Sequence, residues 1–135
     1  MLCAIHNGNV AGYQGGQQNV AHLVSTAEAV AQADGLAYCF TDGHAEKTFS
    51  QFFEDLNQLA AIDWKLMKEI YWADTEEDGD RKRRRQAEFL VHHFFPWRMI
   101  TEIGVINAKI AEETTKVIAT WQHQPKIVVV PQWYY

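Results

Sequence analysis

The chain predicts an α+β fold. Three observations predict it. Short apolar runs of strand length recur from Asn19 to Val130, amphipathic helical spacings lie between them, and Gly- or Pro-containing turns separate the two. At 135 residues, with 47% hydrophobic and 21% charged residues, the chain is long enough for one domain with a modest core.

The segment Met1–Gln18 contains Gly8, Gly12, Gly15 and Gly16 and reads as a loop. Its apolar start has nothing upstream to pair with, so the chain reads as though it opens inside a fold. Asn19 to Val24, with the apolar run Val20-Ala21-His22-Leu23-Val24, reads as a strand. Ser25-Thr26-Ala27-Glu28 is a capping-box pattern that predicts a short helix to about Ala33, stopped by Asp34-Gly35. Leu36 to Thr41 predicts a second strand. Phe49, Phe52, Phe53, Leu56, Leu59 and Ala60 follow helical spacing from about Thr48 to Ala60. Asp63 then caps a further predicted helix carrying Trp64, Met67, Ile70 and Tyr71.

Thr75 to Arg85 holds no apolar residue and predicts an exposed loop. Gln86 to Phe94 predicts a strand ended by Pro96, and Thr101 to Asn107 another. Asn107 caps a helix with Ile110, Ala111, Thr114, Val117, Ile118 and Trp121. Lys126 to Val130 is the last strand.

Composition excludes several function classes. No apolar stretch is long enough to span a bilayer, and no basic-then-apolar leader opens the chain. Cys3 and Cys39 give neither a disulfide framework nor a metal pattern, and fit reduced thiols in a cytoplasmic protein. A net charge of -5 argues against indiscriminate nucleic-acid binding.

The charge distribution is more telling than the total. Arg81, Lys82, Arg83, Arg84 and Arg85 are consecutive, and Asp74, Glu76, Glu77, Asp78 and Asp80 precede them, so the segment is dipolar but neutral. Adjacent cations repel each other, which favours contact with the phosphates of a polyanion over a merely solvated loop.

Glu88 stands next to this run and opens the apolar Phe89-Leu90-Val91. A salt bridge to Arg84 or Arg85 is its plain explanation, because a carboxylate among apolar neighbours needs a partner. The alternative is chemistry on whatever the basic run holds. In a strand, Glu88, Leu90 and His92 share a face. His44 follows a predicted strand in Asp42-Gly43-His44, where a polar turn is the plain reading and a cleft-facing histidine the functional one. Tyr71 is expected in the core, and Trp72 can offer a stacking surface to a splayed base. His22, His44, His92 and His93 suggest a metal site only weakly. The adjacent pair should point to opposite faces, and neither CxxC nor HExxH occurs. The Gly12–Gln17 stretch matches no phosphate-loop pattern.

Several separate stretches, in order along the chain, closely resemble the DarT family. These are Asn7-Gly8-Asn9-Val10, Gly12-Tyr13-Gln14-Gly15-Gly16-Gln17, Phe40-Thr41-Asp42-Gly43-His44-Ala45, Ile62-Asp63-Trp64, Trp72-Ala73-Asp74-Thr75, Arg83-Arg84-Arg85-Gln86-Ala87-Glu88-Phe89-Leu90-Val91 and Trp133-Tyr134-Tyr135. DarT proteins are toxins that transfer ADP-ribose from NAD to bases of single-stranded DNA.

The resemblance implies an ADP-ribosyltransferase-like split, mixed β-core with flanking helices, forming a single domain over 1–135 whose N-terminal part is missing. It implies Glu88 as the catalytic glutamate. Single-stranded DNA would be held by His44, Trp72, Arg81, Lys82, Arg83, Arg84 and Arg85. NAD would be the co-substrate, with no metal. Thymine is the base implied, although the family also includes guanine modifiers. A DarG-like macrodomain antitoxin would be the partner, with no membrane involvement. The family's first strand, its NAD-gripping histidine and its catalytic arginine have no counterpart here, so impaired turnover is expected. The competing expectations are a non-enzymatic remnant that binds single-stranded DNA or the antitoxin and, with little support, a metal-dependent nuclease.

Overall fold

The computed structural model describes the backbone of residues 2–135 and the side chains from Ala4 onward, so the expectation for the Cys3 thiol lies outside the described residues. The chain divides into two compact units. One comprises Met1–Ser25 with Pro96–Tyr135, and the other comprises Thr26–Phe95.

The first unit is built on a mixed sheet of β1 (His22–Val24), β5 (Glu102–Val105) and β6 (Lys126–Val129), in the order β1-β5-β6. β1 runs antiparallel to β5, with His22 opposite Gly104 and Val24 opposite Glu102. β5 and β6 are parallel, from Glu102 opposite Lys126 to Val105 opposite Val129. A parallel pair needs a crossover. Here it is α4 (Ala108–Ile118), capped by the Asn107 side chain, which accepts a hydrogen bond from the Ile110 amide at 3.0 Å. α4 places Ile118 beside Ile100, Ile103 and Val105 in the core, with Ile110, Ala111, Trp97 and Ile127 against them.

The chain's last residues are stitched to its early ones. The Tyr134 hydroxyl donates to the Val20 carbonyl at 2.7 Å, and the Tyr135 amide donates to Gln17 Oε1 at 2.9 Å. Gly104 is required here, because a Cβ would lie 2.5 Å from the Trp133 ring and 2.9 Å from a Val130 methyl.

The second unit centres on β2 (Tyr38–Thr41). It is flanked by β3 (Phe52–Phe53) and β4 (Phe89–Val91), both antiparallel to it. Tyr38 stacks on Phe89 and Phe40 on Phe53, each with ring centroids 5.2 Å apart. Phe40, Val30, Ile62 and Leu66 are buried.

The α+β class and the split, mixed strand arrangement match expectation. Several elements differ from it. Residues Leu2–His6 form a helix, α1, where a loop was expected. The first of the segment's glycines ends this helix. Gly8 takes φ +69°, its amide bonds to the Ile5 carbonyl and the Asn9 amide to the Ala4 carbonyl, the pairing of a Schellman terminus.

The helix after the capping-box pattern, α2 (Ala27–Ala31), is capped one residue later than the pattern suggests. Thr26 Oγ1 accepts from the Ala29 amide at 3.1 Å. The helix expected from Thr48 to Ala60 is instead β3 and a 3-10 segment, Leu56–Ala61. Pairing with β2 outweighs the helical spacing, and Asp55 caps the 3-10 segment by accepting from the Asn57 amide. Asp63 does cap a turn at the Leu66 amide, but the turn ends at Lys68, leaving Ile70 and Tyr71 each 86% exposed. Tyr71 is therefore not a core residue. No helix among the described residues is long and apolar enough to cross a membrane.

Candidate active site

Glu88 immediately precedes β4 and faces the end of β2. Its backbone is fixed from both directions: the Thr41 amide donates to the Glu88 carbonyl at 2.9 Å, and the Glu88 amide donates to Thr41 Oγ1 at 3.0 Å. Thr41 is fully buried, and its hydroxyl donates to the Gly43 carbonyl at 2.6 Å, so it cannot swing away without losing that bond. The side chain of Glu88 is exposed, with one carboxylate oxygen accepting from the Ala45 amide at 3.0 Å.

Among the described residues, no arginine pairs with it. Arg84 bonds to Asp78 at 2.5 Å and lies 3.6 Å from Asp63, while Arg85 approaches the Met67 sulfur at 3.6 Å. The plain explanation of Glu88 as half of a salt bridge to Arg84 or Arg85 is thereby removed. What remains is a carboxylate open to solvent, oriented by one amide and anchored at its own backbone.

The loop that supplies this amide runs from Asp42 to Ser50. His44 sits in it half-buried. Its amide donates to the Arg83 carbonyl at 3.0 Å, and its own carbonyl accepts from Ser50 Oγ at 2.7 Å. His44 and Glu88 are thus brought to one place through adjacent residues, His44 and Ala45.

The basic run is not a loop throughout. Arg81–Arg84 form a single helical turn, α3. The preceding carboxylates fold back on it. Arg81 pairs with Glu69 and donates to the Ala73 and Tyr71 carbonyls. Arg83 makes a two-pronged pair with Asp80, both bonds 2.7 Å, and reaches Asp42 at 2.9 Å. These pairings show in the acid–base balance of the segment. Asp80 is held below the ordinary carboxylate value chiefly by its hydrogen bonds from Arg83, against the opposing effect of burial. At Asp78 burial pushes upward, yet the Arg84 bond, the Asp80 amide and nearby guanidinium charges outweigh it and the value is lowered. Arg83 is raised well above the ordinary guanidinium value, first by Asp80.

Of the five cations, Lys82 and Arg85 have no carboxylate partner among the described residues. Lys82 is exposed, and Arg85 is half-buried with its Nε unpartnered.

Trp72 is half-buried, and the exposed ring beside it belongs to Tyr71, which sequence reasoning assigned to the core. His92 and His93 do not point to opposite faces. β4 ends at Val91, His93 adopts φ +63°, and the two rings lie 3.7 Å apart, so strand alternation no longer applies. Among the described residues no three ligating side chains converge on a metal position. An open depression of about 440 Å³, lined by Tyr38, Cys39, Glu54, Leu90, His92 and His93 among others, lies at the opposite end of the β2–β4 pair and does not include Glu88.

Sequence reasoning missed the residues that hold the site: Thr41, Ala45, Asp42 and Ser50. A buried threonine at a strand's end followed by Asp-Gly was the available signal, since a hydroxyl and an Asp carboxylate there bond readily to local backbone.

A glutamate at the entry to β4, oriented by an amide and beside an ion-paired basic turn, makes a candidate transferase or hydrolase centre. The family model "ssDNA thymidine ADP-ribosyltransferase, DarT" matches residues 1–135, and the chain belongs to the DarT family. It is 42% identical over 137 residues to the DNA ADP-ribosyl transferase of Thermus sp. (strain 2.9), covering all of this chain and 63% of that protein. The chain thus spans less than two thirds of that relative's length. It also superposes on Thermus sp. 2.9 DarT in complex with NAD+, with a TM-score of 0.90 and 40% identity over 99% of this chain and 66% of that one. The same protein in complex with ADP-ribosylated ssDNA gives a TM-score of 0.90 and 40% identity, covering 99% and 63% of the two chains.

Proposed function

We propose that this chain carries the glutamate-bearing part of a cytoplasmic enzyme that transfers ADP-ribose from NAD to a base, thymine, of single-stranded DNA. The observation that carries the reading is the Glu88 carboxylate: exposed, oriented by the Ala45 amide, and unpaired with any arginine among the described residues. Family membership and the Thermus DarT structures with NAD+ and with ADP-ribosylated ssDNA support it.

In this reading the bond between the ribose anomeric carbon and nicotinamide breaks, with its electron pair leaving on nicotinamide. The ribose develops oxocarbenium character, and a fixed negative charge beside it stabilises that cation. The Glu88 oxygen not engaged by Ala45 can accept a ribose hydroxyl. A ring nitrogen of the base then bonds to the anomeric carbon, and its proton passes to the carboxylate or to solvent. Orientation by one amide and two Thr41 contacts keeps the carboxylate from reorganising as charge develops.

His44 and Trp72 are assigned to the target strand, with Tyr71 as a further exposed ring for stacking. The phosphates fall to the basic turn, led by Lys82 and Arg85, whose charges are uncommitted. A DarG-like macrodomain antitoxin is the partner this reading implies.

The test is Glu88→Gln with NAD and a thymine-containing single strand. Transfer should fall by about 10²-fold or more, while strand binding persists. Undiminished transfer refutes the reading. Binding without transfer by the unsubstituted chain favours the non-enzymatic alternative.

A further inference from the structure

We infer that Arg83 is a positioning residue for Glu88 and not a phosphate contact. The inference rests on the transferase reading of Glu88. Four bonds from its guanidinium are already made: Nε and Nη2 donate to the two Asp80 oxygens, and Nη1 donates to Asp42 Oδ1 at 2.9 Å and Ser50 Oγ at 3.2 Å. Its side chain is 10% exposed. One of its five N–H donors is left, so a phosphate would have to break the bidentate Asp80 pair to claim two.

What Arg83 does instead is hold the loop that orients Glu88. Its guanidinium grips Asp42 and Ser50, at the two ends of that loop, and its carbonyl accepts from the His44 amide in between. The next amide, that of Ala45, is the one bonded to the Glu88 carboxylate. Gly43 marks how closely the loop passes over the guanidinium. A Cβ there would sit 2.3 Å from Arg83 Nη1 and 2.9 Å from both Cγ and Cζ. Asp42 and Asp80 also neutralise the Arg83 charge, so it does not draw the Glu88 carboxylate away from the open face.

The experiment compares Arg83→Gln and Arg83→Lys with Gly43→Ala, which displaces the guanidinium without deleting it. Glu88→Ala serves as the reference for a missing Ala45 bond, because it leaves no acceptor there. The amide resonance and hydrogen exchange of Ala45 report the bond directly and need no turnover. In Arg83→Gln and Gly43→Ala the Ala45 amide should move toward its Glu88→Ala position and exchange about tenfold faster or more, with Arg83→Lys restoring part of the shift. If Arg83→Gln does not fold, Gly43→Ala decides.

In the transfer assay, kcat should fall by about tenfold or more while the KM for the strand stays within about twofold, since small misplacements of a reacting group cost rate. An unchanged Ala45 amide in a folded variant, or a raised KM at constant kcat, overturns the inference. Undiminished transfer by Glu88→Gln would instead refute the transferase reading, and the Ala45 amide would still decide the role of Arg83.

Discussion

Salt dependence of single-strand binding distinguishes two ways the basic turn can work. If all five cations met phosphates, each neutralised phosphate would contribute about 0.7 to the slope of log affinity against log salt, for a total near 3.5. Raising salt fourfold would then weaken binding by about 130-fold. The structure commits Arg81, Arg83 and Arg84 to Glu69, Asp80, Asp42 and Asp78, leaving Lys82 and Arg85. Two phosphates give a slope of about 1.4 and a loss of about sevenfold over the same range. Fluorescence anisotropy of a labelled oligonucleotide at several salt concentrations measures this slope. Lys82→Ala and Arg85→Ala should each lower it by about 0.7, and Arg83→Gln should leave it unchanged. A slope near 3.5, or an equal reduction at Arg83, refutes the division of labour among the five residues.

Other outcomes follow from packing and charge. Gly104→Ala forces a methyl against Trp133 and Val130 and should destabilise the protein by about 1–3 kcal/mol, read as a lowered urea midpoint. A midpoint equal to the parent's would mean that the Trp133 ring yields freely. The Asp80–Arg83 pair stabilises the folded state while Asp80 is ionised. Its folded value is lowered, so the contribution is complete above the ordinary value of about 3.9 and is lost as pH falls through the folded one. The stability gap between the parent and Asp80→Asn should therefore be fully open at neutral pH and narrow as pH falls below the ordinary carboxylate value. A gap independent of pH would show that Asp80 contributes by packing.

Strands that carry buried or half-buried apolar residues were legible in the sequence. Val24, Phe40, Ile103 and Ile127 lie in strands within the stretches their apolar runs marked. The α4 helix was equally legible, because Asn107 caps it and its own spacing sustains it. The helix expected from Thr48 to Ala60 failed for a long-range reason. Between Thr48 and Tyr71, phenylalanines and leucines recur at helical intervals, but the backbone at Phe52 and Phe53 pairs with Phe40 and Thr41, a contact between distant residues that no local spacing encodes.

The site divides the same way. Glu88 could be singled out as a lone acid at the edge of an apolar run. That the arginines beside it belong to Asp78, Asp80 and Asp42 depends on how the acidic stretch folds back, which the sequence offers only as a charge balance. The Ala45 amide that orients Glu88 leaves no mark in the side-chain pattern at all.

The two units differ in how they are threaded. Thr26–Phe95 is one uninterrupted stretch, whereas the sheet β1-β5-β6 joins a strand at His22–Val24 to strands at Glu102–Val105 and Lys126–Val129. During synthesis the uninterrupted stretch can assemble while the rest is still being made. β1 must wait for β5, with its unpaired edge exposed in the meantime. Ribosome-bound chains stopped soon after Phe95 should already resist proteolysis between Thr26 and Phe95 but not around His22.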